Sequence, residues 1–383
     1  MKRILENVPH LIWNGHAESV LRNDKLSDDL NIVSAIKFTM DYINRPVSKT
    51  EVAGLTGAAF YMGWNTEHLL SGMGGSVFMF PHEQEMRLHD SPCSCYFNLL
   101  FQYMGIHHEV IEKGSRSLWD KICNSINNGV PATAVEWNPV DRRGHSAIIG
   151  GFDSEEKEFL GRIYELEKHD DLIHITPQDL HYAIILTPDE SWKKPSGTPM
   201  RKFGIQSLAN AVKLLEGASF NDEEKWQLGI GCYETDARLI LERMNPKDDG
   251  GHRYFLKDHF LFWRMQILLI CRSYACEYLR FLLSQNVLDD QKSLLEAIMI
   301  EYERFKDYFN SKLTIHANLE SVTNGRPLIW NHNGNNIPTM QLFVSEGGRR
   351  EFASFLHNLK QIEEKALSLL RDLVDIYSIN EIR

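Results

Sequence analysis

RRGHSAIIGGFD, residues 142–153, decides how the rest of the chain is read. His145 follows a glycine and leads into Ala147, Ile148 and Ile149, and the run closes on Gly150, Gly151 and Asp153. A small-apolar run entered through a polar residue and left through glycines predicts a β-strand that ends in a turn. A histidine at the mouth of such a strand is a general base, a metal ligand, or a polar residue at a strand end. Just upstream, PATAVEW (Pro131–Trp137) predicts the neighbouring strand. Glu158–Tyr164 and His181–Pro188 predict two more downstream.

Helices precede these strands. Over Asn31–Ile43 the apolar residues fall at Ile32, Val33, Ile36, Met40 and Ile43, a helical spacing with Asp28 or Asp29 available as a cap. Cys95–Met104 and Leu118–Asn127 read as further helices, stopped by Gly105 and by Asn128-Gly129. A glycine-rich segment, Gly54–Trp64, lies between the first two. The character changes at SWKKPSGTP (Ser191–Pro199), a basic stretch rich in Pro and Gly that reads as the domain boundary and as a linker that should open easily to proteases. Beyond it the pattern is helical over Ile205–Glu216, Glu224–Met244, Phe260–Leu283, Leu288–Ser311 and Glu351–Ile376. One insert, Thr323–Phe343, breaks that pattern with aromatic and amide residues. The expected class is therefore α+β over residues 1–190, followed by an α-helical domain over 200–383 that packs on it.

Composition narrows the partners. A formal net charge of −11 across 383 residues argues against a nucleic-acid backbone and against anionic membranes. The most apolar stretch, His259–Leu283, is broken by Arg264, Arg272, Glu277 and Arg280, so a buried helix is expected there and not a membrane span. The N-terminal residues do not read as a secretory signal. The six cysteines form no paired framework. Free thiols and a cytoplasmic location are the expectation.

Metal and cofactor motifs are lacking. His82 and His89 lack ligand spacing, and His107-His108 would point apart on a strand. GAAFYMGW is followed by no Gly-Lys-Ser/Thr, so it is no phosphate cradle. WNHNGNN (Trp330–Asn336) reads as a turn or as the lining of a polar pocket. No metal and no cofactor is expected.

The order of these pieces carries a resemblance. A small residue, Gly and Pro before a strand, then Gly-His opening the next strand and Gly-Phe-Asp closing it, resembles the bacterial papain-like branch that includes the bacteriocin-leader peptidases. The closest likeness is to the butirosin-biosynthesis H family, whose type member moves an acyl group from an acyl carrier protein onto an aminoglycoside amine. DLNIVSAIKFTMDYINRPVS and GLTGAAF resemble that family's first helix and glycine-rich segment, and FNLLFQYMGIHHEV, NGVPATAVEW and GHSAIIGGFD follow in order. GCYETDARLI and the long apolar helix are similar to its helical half.

What the resemblance implies is a papain-like fold with a Cys–His cleft, and an acyl carrier protein or a small amine as partner. Asn31 and Trp64 would then lie beside the cleft as substrate contacts. The departures are specific. Family members with a nucleophile carry a Cys at the start of the first helix, about three residues before the residue matching Ser34. Here that place falls at Asn31 or its neighbour, and no Cys precedes Cys93. An amide cannot replace a thiolate as a nucleophile. Cys95, near the start of a later helix where a thiol pKa is lowered, is the substitute within the chain. Where the third residue of the triad is expected, Gly161, Arg162 and Glu165 occur, and Glu165 alone could orient an imidazole. Two readings follow. One is a Cys95–His145 acyltransferase or peptidase-like enzyme of specialised metabolism, and the other is a non-catalytic relative whose cleft binds a small molecule, a peptide or an acyl carrier.

Overall fold

The computed structural model describes residues 1–12, 31–65, 92–138, 143–165, 171–217, 226–243, 252–317 and 346–378. In chain order the elements begin with β1 (Lys2–Ile4), β2 (Leu11–Ile12), α1 (Asn31–Tyr42), α2 (Lys49–Leu55) and β3 (Gly63–Asn65). Next come α3 (Pro92–Tyr103), β4 (Ile106–Glu112), α4 (Leu118–Asn127), β5 (Ala132–Asn138), β6 (Arg143–Asp153) and β7 (Glu158–Glu165). β8 (Ile173–Ile175), β9 (Leu180–Pro188), α5 (Thr198–Glu216), β10 (Trp226–Leu228) and α6 (Gly231–Arg243) follow. The chain then runs through α7 (His252–Ser284), α8 (Lys292–Ala317) and α9 (Glu346–Ser378). By their internal contacts these residues form two compact units. One holds the described residues of 1–58 and 92–203, and the other holds 59–65 and those from 204 onward.

The first unit is an antiparallel sheet in the order β7-β6-β5-β9-β4, with β1 on β6, β8 on β7, and β2 added in parallel beside β7. Its architecture is mixed α and β. The apolar run of β6 is continuous because both faces of the sheet are covered. Ala147 and Ile149 pack with Leu118, Ile122 and Ile126 of α4, whereas Ile148 packs with Ala35 of α1, Val8 and Leu11. After Ile149 the register with β7 slips, and Phe152 rejoins the α4 face. Gly150 allows this. A Cβ there would meet Val8 Cγ2 at 2.2 Å. Beyond the slip, β1 takes over the edge of β6 that β5 occupies before it, pairing Arg3 with Phe152.

Each covering helix follows from its sequence. In α4, Leu118, Ile122 and Ile126 recur at four-residue spacing on one buried stripe, and the helix stops at Asn128 before Gly129, whose φ is +81°. Burying these three side chains is worth about 1.5–3 kcal/mol each. In α1, Thr39 lies one turn beyond Ala35, and its hydroxyl meets that of Thr133 on β5 at 2.8 Å. α2 was not expected: the glycine-rich segment Gly54–Trp64 overlaps only its last two residues. A full capping box starts it: Ser48 Oγ accepts from Glu51 N, and the Glu51 carboxylate accepts from Ser48 N.

The second unit is mainly helical. α8 packs on α9 and on α7, and α9 packs on α6. The segment expected as one helix over Glu224–Met244 begins instead with β10, which pairs with β3. The intervening turn needs Gly229, with φ +64° and Leu215 O only 2.3 Å from where a Cβ would stand. Arg272, fully buried on α7, donates through Nε and Nη2 to Glu363 on α9, and through Nη1 to the carbonyls of Ala59 and Tyr61. Among the described residues no helix is long and apolar enough to cross a membrane. The insert Thr323–Phe343 and the pair His82 and His89 lie outside the described residues.

Candidate functional site

The site expected from the sequence centres on β6. His145 is its third residue, with its backbone opposite Glu136 of β5. α1 packs against one face of β6 and β5, and α4 packs against the other. Asn31 opens α1, and Glu165 ends β7 opposite Ile12. Cys95 is the fourth residue of α3, which packs against β4 and α2. In the sheet order β6-β5-β9-β4, the strand under α3 lies three strand spacings from β6, about 14 Å. Trp64 is the middle residue of β3, opposite Gln227, and belongs to the second unit. The side chains of Asn31, Trp64, Cys95, His145 and Glu165 lie outside the described residues.

What is described around the β5–β6 face is a polar seam in an apolar layer. Ser146 on β6 and Thr133 on β5 are each 1% exposed, and Thr39 on α1 is fully buried. The Thr39–Thr133 hydroxyl pair satisfies both of those groups. Ser34, three residues into α1 from Asn31, is 2% exposed, and its hydroxyl has no hydrogen-bond partner among the described residues. A buried hydroxyl left unpaired costs roughly 1–3 kcal/mol, so a ligand atom that bonds it recovers that cost. Sequence reading passed over Ser34 as merely a small residue. The available signal was a serine in the opening turn of a helix that is otherwise apolar on nearly every side.

The described thiols are inert by environment. Cys123, Cys232, Cys271 and Cys276 are buried and form no disulfide among the described residues. Burial pushes the Cys123 thiol up to about 11, with nearby Asp120 adding to the effect. Burial likewise raises Cys271 and Cys276 to about 12. Their thiolate fractions at neutral pH are negligible. On β4, His108 lies 4.7 Å from the Phe101 ring, and burial lowers its pKa, which favours neutral imidazole. His174 instead meets Glu158 at 2.6 Å on the surface. No group of three or more His, Cys, Asp or Glu that could hold a metal ion occurs among the described residues.

Compared with known proteins, the chain matches no family model and no curated protein.

Proposed function

We propose that the first unit binds carrier-borne acyl groups without forming a thioester on the protein itself, as a relative of the butirosin-biosynthesis H family with a papain-like layout. The observation that carries this reading is the Ser34 hydroxyl on the helix that covers one face of the Gly-His strand. α1 has no cysteine in its sequence and offers Ser34, buried and with no hydrogen-bond partner among the described residues. On the other face lies α4, whose Cys123 is buried with its thiol pushed up to about 11, and the cysteine-bearing α3 packs on β4. A buried hydroxyl is suited to hydrogen-bonding an acyl carbonyl, and that requires no covalent intermediate. The family likeness of residues 131–153 supports the acyl group as ligand, and the acidic net charge agrees with a small-molecule or protein partner in place of nucleic acid.

The test is incubation with an acyl-pantetheine thioester, followed by calorimetry and intact-protein mass spectrometry. Saturable binding with no acyl mass added to the chain is expected, weakened at least about tenfold by Ser34→Ala, the equivalent of one lost hydrogen bond to a buried group. An acyl adduct that disappears in both Cys95→Ser and His145→Ala would establish covalent transfer instead. Absence of any binding would refute the acyl reading.

A further inference from the structure

The stretch that the sequence presents as an open linker is fastened down. Asp189 N donates to Gly105 O at 2.9 Å, and Arg45 Nη2 donates to Asp189 O at 2.5 Å. Asp189 Oδ1 accepts from the Ser191 amide and hydroxyl, which closes a turn. That turn delivers Trp192 onto Gly105. The Trp192 indole donates to Tyr103 O at 3.1 Å, and the Arg45 guanidinium lies 4.9 Å from its ring centre. Gly105, at φ +61°, leaves the space. A Cβ there would stand 2.0 Å from the Trp192 ring. Two residues on, Lys194 Nζ reaches Glu51 Oε1 at 2.8 Å and lies 5.7 Å from the Tyr103 ring centre.

The two ends of this ion pair are unequal. The Lys194 side chain is 49% exposed, whereas that of Glu51 is 6% exposed. The Glu51 carboxylate is otherwise held by neutral donors. The Tyr103 hydroxyl bonds Oε1 at 3.0 Å, and the Ser48 amide and hydroxyl bond Oε2 at 2.9 Å each. Lys194 thus sets its cation on a carboxylate that the fold has already taken out of water. A buried carboxylate that loses its cation is strongly disfavoured. The least disruptive response is for the segment to lift and admit water to Glu51.

We propose that residues 189–194 form a strap whose releasable fastening is the ion pair of Lys194 with Glu51, and that N-acylation of Lys194 opens it. The modifying reagent is an acyl thioester. Nζ bonds to the acyl carbon as the carbon–sulfur bond breaks. Of the two protons lost from the ammonium, one goes to the departing thiolate and one to water. The amide product has no charge to offer Glu51, and its bulk must occupy the place of the ammonium.

Lys193 provides a clean report, because the Lys194–Pro195 bond resists lysine-specific proteases and the Lys193–Lys194 bond does not. The full chain is compared with Lys194→Gln, which mimics the acylated state, and with Lys194→Arg, which keeps the charge. Cleavage after Lys193 and amide exchange at Asp189 are followed, with helical circular dichroism confirming the fold. Lys194→Gln is expected to speed both by about tenfold, a loss in the range for an uncompensated buried group, and Lys194→Arg to stay within about twofold of the native chain. Equal rates in Lys194→Gln and the native chain would overturn the proposal. So would equal acceleration in Lys194→Gln and Lys194→Arg, because side-chain shape and not charge would then hold the strap.

Discussion

Replacing Glu363 by Gln tests the heart of the helical unit with almost no change of shape. Glu363 is 1% exposed and Arg272 fully buried, so neither charge has water to fall back on. Burial alone works against the Arg272 charge, and the facing carboxylate outweighs it and keeps the guanidinium protonated. The amide keeps one acceptor but removes the countercharge, and breaking such a pair from one side costs about 3–5 kcal/mol. Urea unfolding followed by the helical signal at constant slope should show a loss of that size. A second variant sharpens the reasoning. For a simple ion pair, Arg272→Met with Glu363→Leu would come out close to native stability. Here Arg272 Nη1 also serves the carbonyls of Ala59 and Tyr61, at 3.3 and 3.2 Å. The apolar pair strands both carbonyls, so the double variant should remain destabilised by at least about 2 kcal/mol. A loss below about 1 kcal/mol in Glu363→Gln, or full recovery in the double variant, would refute this account of the network.

Gly105→Ala should lower stability by roughly 2–4 kcal/mol, since it combines a strained φ of +61° with a collision at Trp192; a thermal midpoint unchanged from the native chain would contradict it. Cys123, Cys232, Cys271 and Cys276 should resist a disulfide reagent at pH 8 and react together on unfolding, because burial holds the thiol form in at least three of them; rapid labelling of any of the four in the native state would show it to be accessible. For Glu51, burial raises the carboxyl pKa, but the Lys194 pair and the Ser48 hydrogen bonds outweigh it and hold the group below its ordinary value of 4.5. Its contribution is therefore complete above that value and lost as pH falls through the lower folded one. Glu51→Gln should flatten the acid limb of the stability profile, and an identical limb in both proteins would remove Glu51 from the acid response.

Local pattern was enough to read the class and the main strands. The Gly-His run became β6, Leu118–Asn127 became α4 with the same bounds, and Pro131–Trp137 became β5 shifted by one residue. These elements are legible because periodicity and glycine stops act within one element. The seam of α9 is equally plain in sequence. Phe352, Leu356, Leu359, Ala366, Leu370, Leu373 and Tyr377 recur at three- and four-residue steps, and Glu363 alone puts a charge in that row. Sequence marks Glu363 as an anomaly but does not name its partner, which comes from α7, 91 positions away along the chain.

Pairings between distant residues were decided only by tertiary structure. β10 interrupts an expected helix because its hydrogen bonds go to β3, a partner that no local window contains. Gly150 has no room for a side chain because Val8, from the N-terminal segment, packs where its Cβ would stand. The linker composition of Ser191–Pro199 predicted an open stretch. Its Trp and Lys instead close on Gly105, Tyr103 and Glu51, because buried polar groups on those earlier elements need partners that only a returning chain can bring. For the site, sequence supplied the candidate histidine and the absence of a cysteine in the first helix. Which helices cover the histidine strand is a matter of packing between elements, and that packing put the cysteine-free α1, more than a hundred residues away, on one face and α4 on the other.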